Sequence, residues 1–272
     1  MLVTVKPKFK CKKLHIGRNN THCPSLFANG RELEEVKEVE YLGDVVVGNA
    51  TCEANIKVRV AKGMGIVNEI FNILDQVSFG QYYFKIALLL RESLLVNSVL
   101  YNSSVWYNLK PQDIKELEYV DKVFFSRLFN VAKTAPYESF FMETGVLNFE
   151  TIIKSRRILY FHNILNRNKN QLIYSFLMTQ QMTKSKYDWA SQVLRDCNDF
   201  QINSSIDFLQ NISVISFKEM VKLKAYEHAF KTYKRYQEKH SKMRFLYYVE
   251  LKIQAYLLSP NISIEAKKII FR

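Results

Sequence analysis

The segment Thr51–Gln76, TCEANIKVRVAKGMGIVNEIFNILDQ, places Ile56, Val60, Met64, Val67, Phe71 and Leu74 at steps of three and four. That spacing lines one side of a helix at 3.6 residues per turn and does not fit the two-residue alternation of a half-buried strand. Thr51 supplies an N-cap oxygen and Glu53 a negative charge in the first turn, so the sequence predicts a long helix ending near Gln76.

The same reading extends downstream. Residues 78–101 are apolar on nearly every side, which predicts a central, enclosed helix. Arg91, Glu92 and Asn97 interrupt its apolar run, which is too short to cross a bilayer even without them. Pro111 suits a helix start, and Ile114, Leu117, Val120, Phe124 and Leu128 form the buried stripe of a third helix. Gly145 closes a short helix, and Asn148 caps the next, which carries Lys154, Arg156 and Arg157 beside Ile152, Ile153 and Leu159. Ser216 with Glu219 predicts a capping box opening a helix through about Lys239, and Ser263 with Glu265 marks a final short one. Upstream, Lys13–Gly17 and Val39–Val47 read as strands on either side of an Asn29-Gly30 turn.

The expected fold is therefore mainly α, a helical bundle with a small N-terminal β lobe. Its expected divisions are a β remnant over residues 1–50, a bundle over 51–183 and a basic helical tail over 184–272, the last break set by polar residues near Lys184–Lys186 and Ser204-Ser205. Low Gly and Pro content, 8 and 5 residues, agrees with long helices.

The formal charge of +13 predicts attraction to polyanions. It is concentrated late: from Ser216 onward thirteen Lys/Arg face five Asp/Glu, a net +8 in the last fifth of the chain. Residues 1–13 are lysine-rich and lack a signal-sequence pattern, so an intracellular location, nucleus or cytoplasm, is expected, with no membrane partner. Lys218–Lys239 is partly amphipathic, but its Tyr-rich spacing fits bundle packing better than a membrane surface. Cys11, Cys23, Cys52 and Cys197 form no C-x-x-C pair, and reduced thiols are expected. Cys11, His15, His22 and Cys23 carry zinc-binding atoms at a spacing that matches neither a finger nor a knuckle, so no metal or other cofactor is expected.

A series of short segments adds a resemblance. It begins with Lys10-Cys11-Lys12-Lys13-Leu14-His15-Ile16-Gly17, then Glu40-Tyr41-Leu42-Gly43, then Ile56-Lys57, Arg59-Val60 and Lys62. It continues through Leu100-Tyr101, Val105-Trp106, Glu143-Thr144-Gly145, Ser155–Tyr160, Asp188-Trp189, Phe217-Lys218, His240–Met243, Gln254–Leu257 and Phe271-Arg272. In this order the segments resemble the C-terminal region of non-LTR (LINE-type) retrotransposon reverse transcriptases: the end of the palm, the helical thumb and the tail, over nearly the whole chain. Asn102 where that family usually has Gly, the helix-interrupting Gly63 and Gly65, and Asp44 after Tyr-Leu-Gly depart from the pattern and mark drift.

The resemblance implies that the catalytic Asp-Asp pair precedes the strand near Lys10, upstream of Met1, with an endonuclease domain also upstream and a Cys/His knuckle after Arg272. Nucleotide addition by two metal ions needs clustered carboxylates, whereas the aspartates at 44, 75, 113, 121, 188, 196, 199 and 207 are never adjacent. No polymerase activity is expected of this chain. What the resemblance leaves is the thumb's grip on the phosphate backbone of an RNA or DNA duplex, independent of sequence, with Arg59, Lys62, Arg156 and Arg157 as candidate contacts and the palm of a longer polyprotein as a further partner. A solvated surface role competes for each cation. Tyr226, Phe230 and Tyr233 recur at helical spacing, and core packing is preferred over base stacking for them. The alternatives are a helical protein-interaction scaffold, or the product of a decayed element with no selected function.

Overall fold

The computed structural model describes residues 12–16, 25–49, 51–183, 185, 188–239 and 253–271. The chain divides into two units, Met1–Val58 and Arg59–Arg272. It is mainly α with a small N-terminal β region.

The first unit contains β1 (Lys12–Leu14), β2 (Phe27–Ala28), β3 (Arg31–Glu32), β4 (Glu34–Val36), β5 (Glu38–Tyr41) and β6 (Asp44–Val47). β1 and β4 run parallel with Lys13 opposite Glu35, and the two side chains form an ion pair at 2.9 Å. β2 and β3 turn at Asn29-Gly30, both at positive φ (50° and 73°), as the sequence predicts. Val39–Val47 is not one strand: β5 and β6 form a hairpin reversing at Leu42-Gly43, at φ 50° and 82°. Glycine accepts this conformation freely and leucine rarely does, so the Leu in Tyr-Leu-Gly hid the turn. Gly17 of the expected first strand, together with Cys11, His22 and Cys23, lies outside the described residues.

Helix α1 (Glu53–Gln76) follows, then a 3₁₀ turn at Gly80–Tyr82 and α2 (Tyr83–Leu90). A π-helical turn, Arg91–Val96, joins α2 to α3 (Asn97–Val99), and a 3₁₀ turn at Ser103–Val105 precedes α4 (Pro111–Leu128). Then come α5 (Tyr137–Thr144), α6 (Phe149–Leu165), α7 (Leu172–Thr183), α8 (Trp189–Asp199), α9 (Ile206–Asn211), α10 (Val214–Lys239), α11 (Ala255–Leu258) and α12 (Ile264–Phe271).

Several helix ends follow from local chemistry alone. Asn148 Oδ1 accepts from Thr151 N at 3.1 Å, Gly145 closes α5 at φ 69°, and Ser263 Oγ accepts from Ala266 N at 3.1 Å. α10 opens three residues before the expected Ser216, because Ser213 Oγ accepts the Ser216 amide at 3.1 Å.

The enclosed helix is α6, which packs against α4, α7, α8, α9, α10 and the 103–105 turn. The sequence assigns that place to residues 78–101, yet Leu89 there is 62% exposed. One apolar core joins Ile158, Phe161 and Ile164 of α6 to Leu177 of α7, Val193 of α8, Leu209 of α9 and Phe217 and Val221 of α10. It runs across the expected division at residue 183, so the helices on either side share one interior. Among the described residues no helix is long and apolar enough to cross a membrane.

Candidate nucleic-acid interface

The four cations singled out by sequence have different surroundings. Arg59 is buried, donates to Ser98 O at 3.4 Å, and its guanidinium carbon stands 4.7 Å from the Tyr101 ring centroid. Lys62 is exposed on α1. Arg156 donates to Leu100 O and to Asn97 Oδ1, the latter at 3.0 Å. Arg157 is 4% exposed, and its Nε and Nη2 reach Asp196 Oδ2 and Oδ1 at 2.6 and 3.0 Å while Nη1 donates to Trp106 O at 3.2 Å.

The neighbouring arginines of α6 thus hold both ends of the 100–106 connection. Trp189 Nε1 holds its middle by donating to Ser104 O at 2.9 Å. These bonds satisfy carbonyls that helix α3 and the 3₁₀ turn leave open. A guanidinium already bidentate on a buried carboxylate has little left to offer a phosphate.

A second buried pair stands where the π turn begins. Arg91, fully buried, places Nε and Nη2 2.7 Å from the two Asp121 oxygens and donates from Nη2 to Leu147 O at 3.0 Å. Tyr137 Oη donates to Asp121 Oδ2 at 2.9 Å. Burial works against the Arg91 charge, but Asp121 outweighs it and holds the guanidinium protonated. One turn away, burial followed by repulsion from Glu150 pushes the Glu118 carboxyl up to about 8. Cys197 is buried, its thiol pushed up to about 12 by desolvation, and a thiol so placed is a poor nucleophile at neutral pH.

Exposed cations occur on several helices, and α10 carries five of them, Lys218, Lys222, Lys231, Arg235 and Lys239. Its buried positions recur at every fourth residue, Phe217, Val221, Ala225, Ala229, Tyr233 and Gln237, so the packed stripe winds around the helix by about 40° per step. Beside that stripe Lys224, His228, Lys231 and Arg235 follow one another at i, i+4, i+7 and i+11, on the rim of a 200 Å³ hollow that includes Asp199 and Gln201 at the end of α8. Lys231 and Arg235 are exposed, as are Lys218, Lys222 and Lys239.

Two acids, Asp199 and Glu227, line the hollow, and each has a cation of its own. Asp199 Oδ2 meets Lys154 Nζ at 2.9 Å, and Glu227 Oε2 meets Lys224 Nζ at 2.8 Å. His228 accepts or donates through Nδ1 to Asp199 O at 3.0 Å according to tautomer; burial, then the Lys154 charge, hold its pKa below the usual value, so it is neutral at pH 7. Lys231 and Arg235 lie about 6 Å apart along the axis and Lys224 about 10 Å before Lys231, at 1.5 Å per residue. The sequence shows the charge of this region, but the stripe emerges only when the helix register is followed from its cap.

Of the aromatics on α10, Tyr233 is buried and stacks on Phe141 with ring centroids 5.3 Å apart, while Tyr226 and Phe230 are half-buried. His15 belongs to the β unit. Among the described residues no group of His, Cys, Asp and Glu is arranged to hold a metal ion. Comparison with family models, with curated proteins and with solved structures finds no match.

Proposed function

We propose that this chain binds nucleic-acid duplex through its phosphates without reading base sequence, as the thumb and tail of a LINE-type reverse transcriptase would, and that it carries no polymerase chemistry of its own. That reading also gives it an intracellular place, nucleus or cytoplasm, and a palm-bearing polypeptide as a protein partner. The supporting observation is the cationic stripe of α10, Lys224, Lys231 and Arg235, with exposed Lys218, Lys222 and Lys239 on the same helix. Cations on a rigid element at helical spacing contact successive phosphates, and each neutralised phosphate releases counterions.

The test is a titration of a labelled duplex of arbitrary sequence at several salt concentrations. With roughly four to six phosphates engaged, log Kd against log salt has a slope magnitude of about 4 to 5, and Lys231→Glu with Arg235→Glu lowers it by about two units. Absence of binding at low salt rejects the reading, and an unchanged slope in the double variant rejects the assignment to α10. Primer extension with magnesium is expected to stay at the level of a buffer blank; measurable synthesis would refute the second half of the proposal. A protein-interaction scaffold is the competing reading, supported by Leu172, Phe176 and Met182, which are 85%, 61% and 83% exposed on α7.

A further inference from the structure

Beside the 100–106 connection lies a cavity of about 470 Å³, lined by four aliphatic side chains together with Tyr107, Tyr160, Phe176, Gln180, Asp188 and Trp189. Four of these are aromatic. Tyr160 and Trp189 meet nearly edge to face, with centroids 5.8 Å apart and ring planes at 73°, so two ring systems form a corner. The Trp189 ring is fixed, because its N–H donates to Ser104 O at 2.9 Å. Phe176 stands at the mouth, 61% exposed.

The cavity also holds one carboxylate. Asp188 Oδ1 caps α8 by accepting from Ser191 N at 2.7 Å, while Oδ2 is buried with no hydrogen-bond partner among the described residues. A neutral apolar guest would leave that negative charge uncompensated beside apolar walls, which is costly. A guest with many N–H donors would find few acceptors here, since Gln180 Oε1 already accepts from Ala190 N at 3.2 Å. The complementary guest is a diffuse positive charge clothed in methyl groups. Such a charge is attracted to ring faces within about 6 Å and to a carboxylate, and loses little on leaving water.

We propose that this cavity binds an alkylated ammonium group carried on a flexible chain, with Tyr160, Trp189, Tyr107 and Phe176 enclosing the head and Asp188 neutralising it. The volume lies within the usual range for small-molecule sites and exceeds what the head alone would fill. This site is separate from the cationic stripe of α10, and its test does not depend on nucleic-acid binding.

The full chain is titrated with choline, with Nε-trimethyl-lysine and with 3,3-dimethyl-1-butanol, the neutral isostere of choline, following tryptophan fluorescence. Trp189 lines the cavity and Trp106 is buried. The expected result is saturable quenching by at least one cation, at least about tenfold tighter than by the isostere, a margin typical of one cation–π contact. The tighter of the two cations identifies the source as a free amine alcohol or a methylated lysine. Asp188→Asn preserves the helix cap and should weaken cation binding at least tenfold. Phe176→Ala, at an exposed position, should weaken it severalfold whether or not Asp188→Asn folds. Equal affinity for cation and isostere, no saturable response to either cation, or unchanged affinity in a folded variant would overturn the proposal.

Discussion

Asp121 and Asp196 each bring both carboxylate oxygens to one arginine inside the helical unit, and each pair ties together segments 30 or more residues apart. Removing one member leaves a buried charge alone, so Arg157→Ala and Asp196→Ala should each cost about 3–5 kcal/mol in urea unfolding. Arg157→Met combined with Asp196→Leu should recover most of that loss. A cost within about 1 kcal/mol for Arg157→Ala would mean the clamp is dispensable and return Arg157 to the candidate phosphate contacts. Glu118 makes a different demand. Its carboxyl sits at about 8 in the folded protein against an ordinary 4.5. Between those values the folded protein keeps a proton that the unfolded chain has released, so stability falls as pH rises through this window, by at most about 1.4 kcal/mol per unit. Glu118→Gln fixes the neutral form and can still accept from Asn148 Nδ2, now 3.1 Å from Oε1. The variant should melt higher than the parent at pH 8 and level with it near pH 4.5; parallel curves would show that Glu118 titrates normally. The caps at Asn148 and Ser263 were legible because they need only neighbours in sequence. The partners of Arg157 and Arg91 were not, because nothing local distinguishes a lysine or arginine that meets phosphate from one that meets an aspartate 30 or 39 positions away.

Along α1 two glycines that look alike in the sequence have opposite surroundings. A Cβ on Gly63 would stand 2.5 Å from Val99 Cγ2 and 2.9 Å from Val120 Cγ1, whereas one on Gly65 would meet nothing within 4 Å. Gly63 therefore marks a close approach of α1 to α3 and α4, and Gly65 only lowers helix propensity. Gly65→Ala should stabilise by about 0.5–1 kcal/mol. Gly63→Ala should destabilise by about 1–3 kcal/mol despite the same gain in propensity, because neither β-branched valine can swing aside cheaply. Thermal melts of the two variants decide the matter, and a stabilised Gly63→Ala would show that α1 can shift. Helix existence was legible wherever an apolar stripe persisted, as in α1 and α4. The π turn at Arg91–Val96 was not, since one extra residue in a turn has no local signature in the sequence and serves a partner on another helix.

At the scale of the whole molecule the sequence marked a small N-terminal β region followed by helices. Polar residues near Lys184 look like a linker, but Phe161, Ile164 and Leu177 before it are covered by Val193, Leu209, Phe217 and Val221 after it. A chain of residues 1–183 should therefore lack a cooperative melt and bind a hydrophobic dye, while the full chain does neither; a sharp melt of the fragment would establish the boundary. The fourth-residue stripe of α10 reaches from Phe217 in that shared core to Tyr233 against Phe141, so one late helix covers both early and late segments. During synthesis α10 follows α7 by roughly 50 residues, and at about 5–20 residues per second the ribosome needs several seconds to supply it. For that interval the face of α6 that α10 covers stands open, so the nascent chain should be a substrate for ribosome-associated chaperones, and slowing translation between the codons for 183 and 239 should lower the soluble yield.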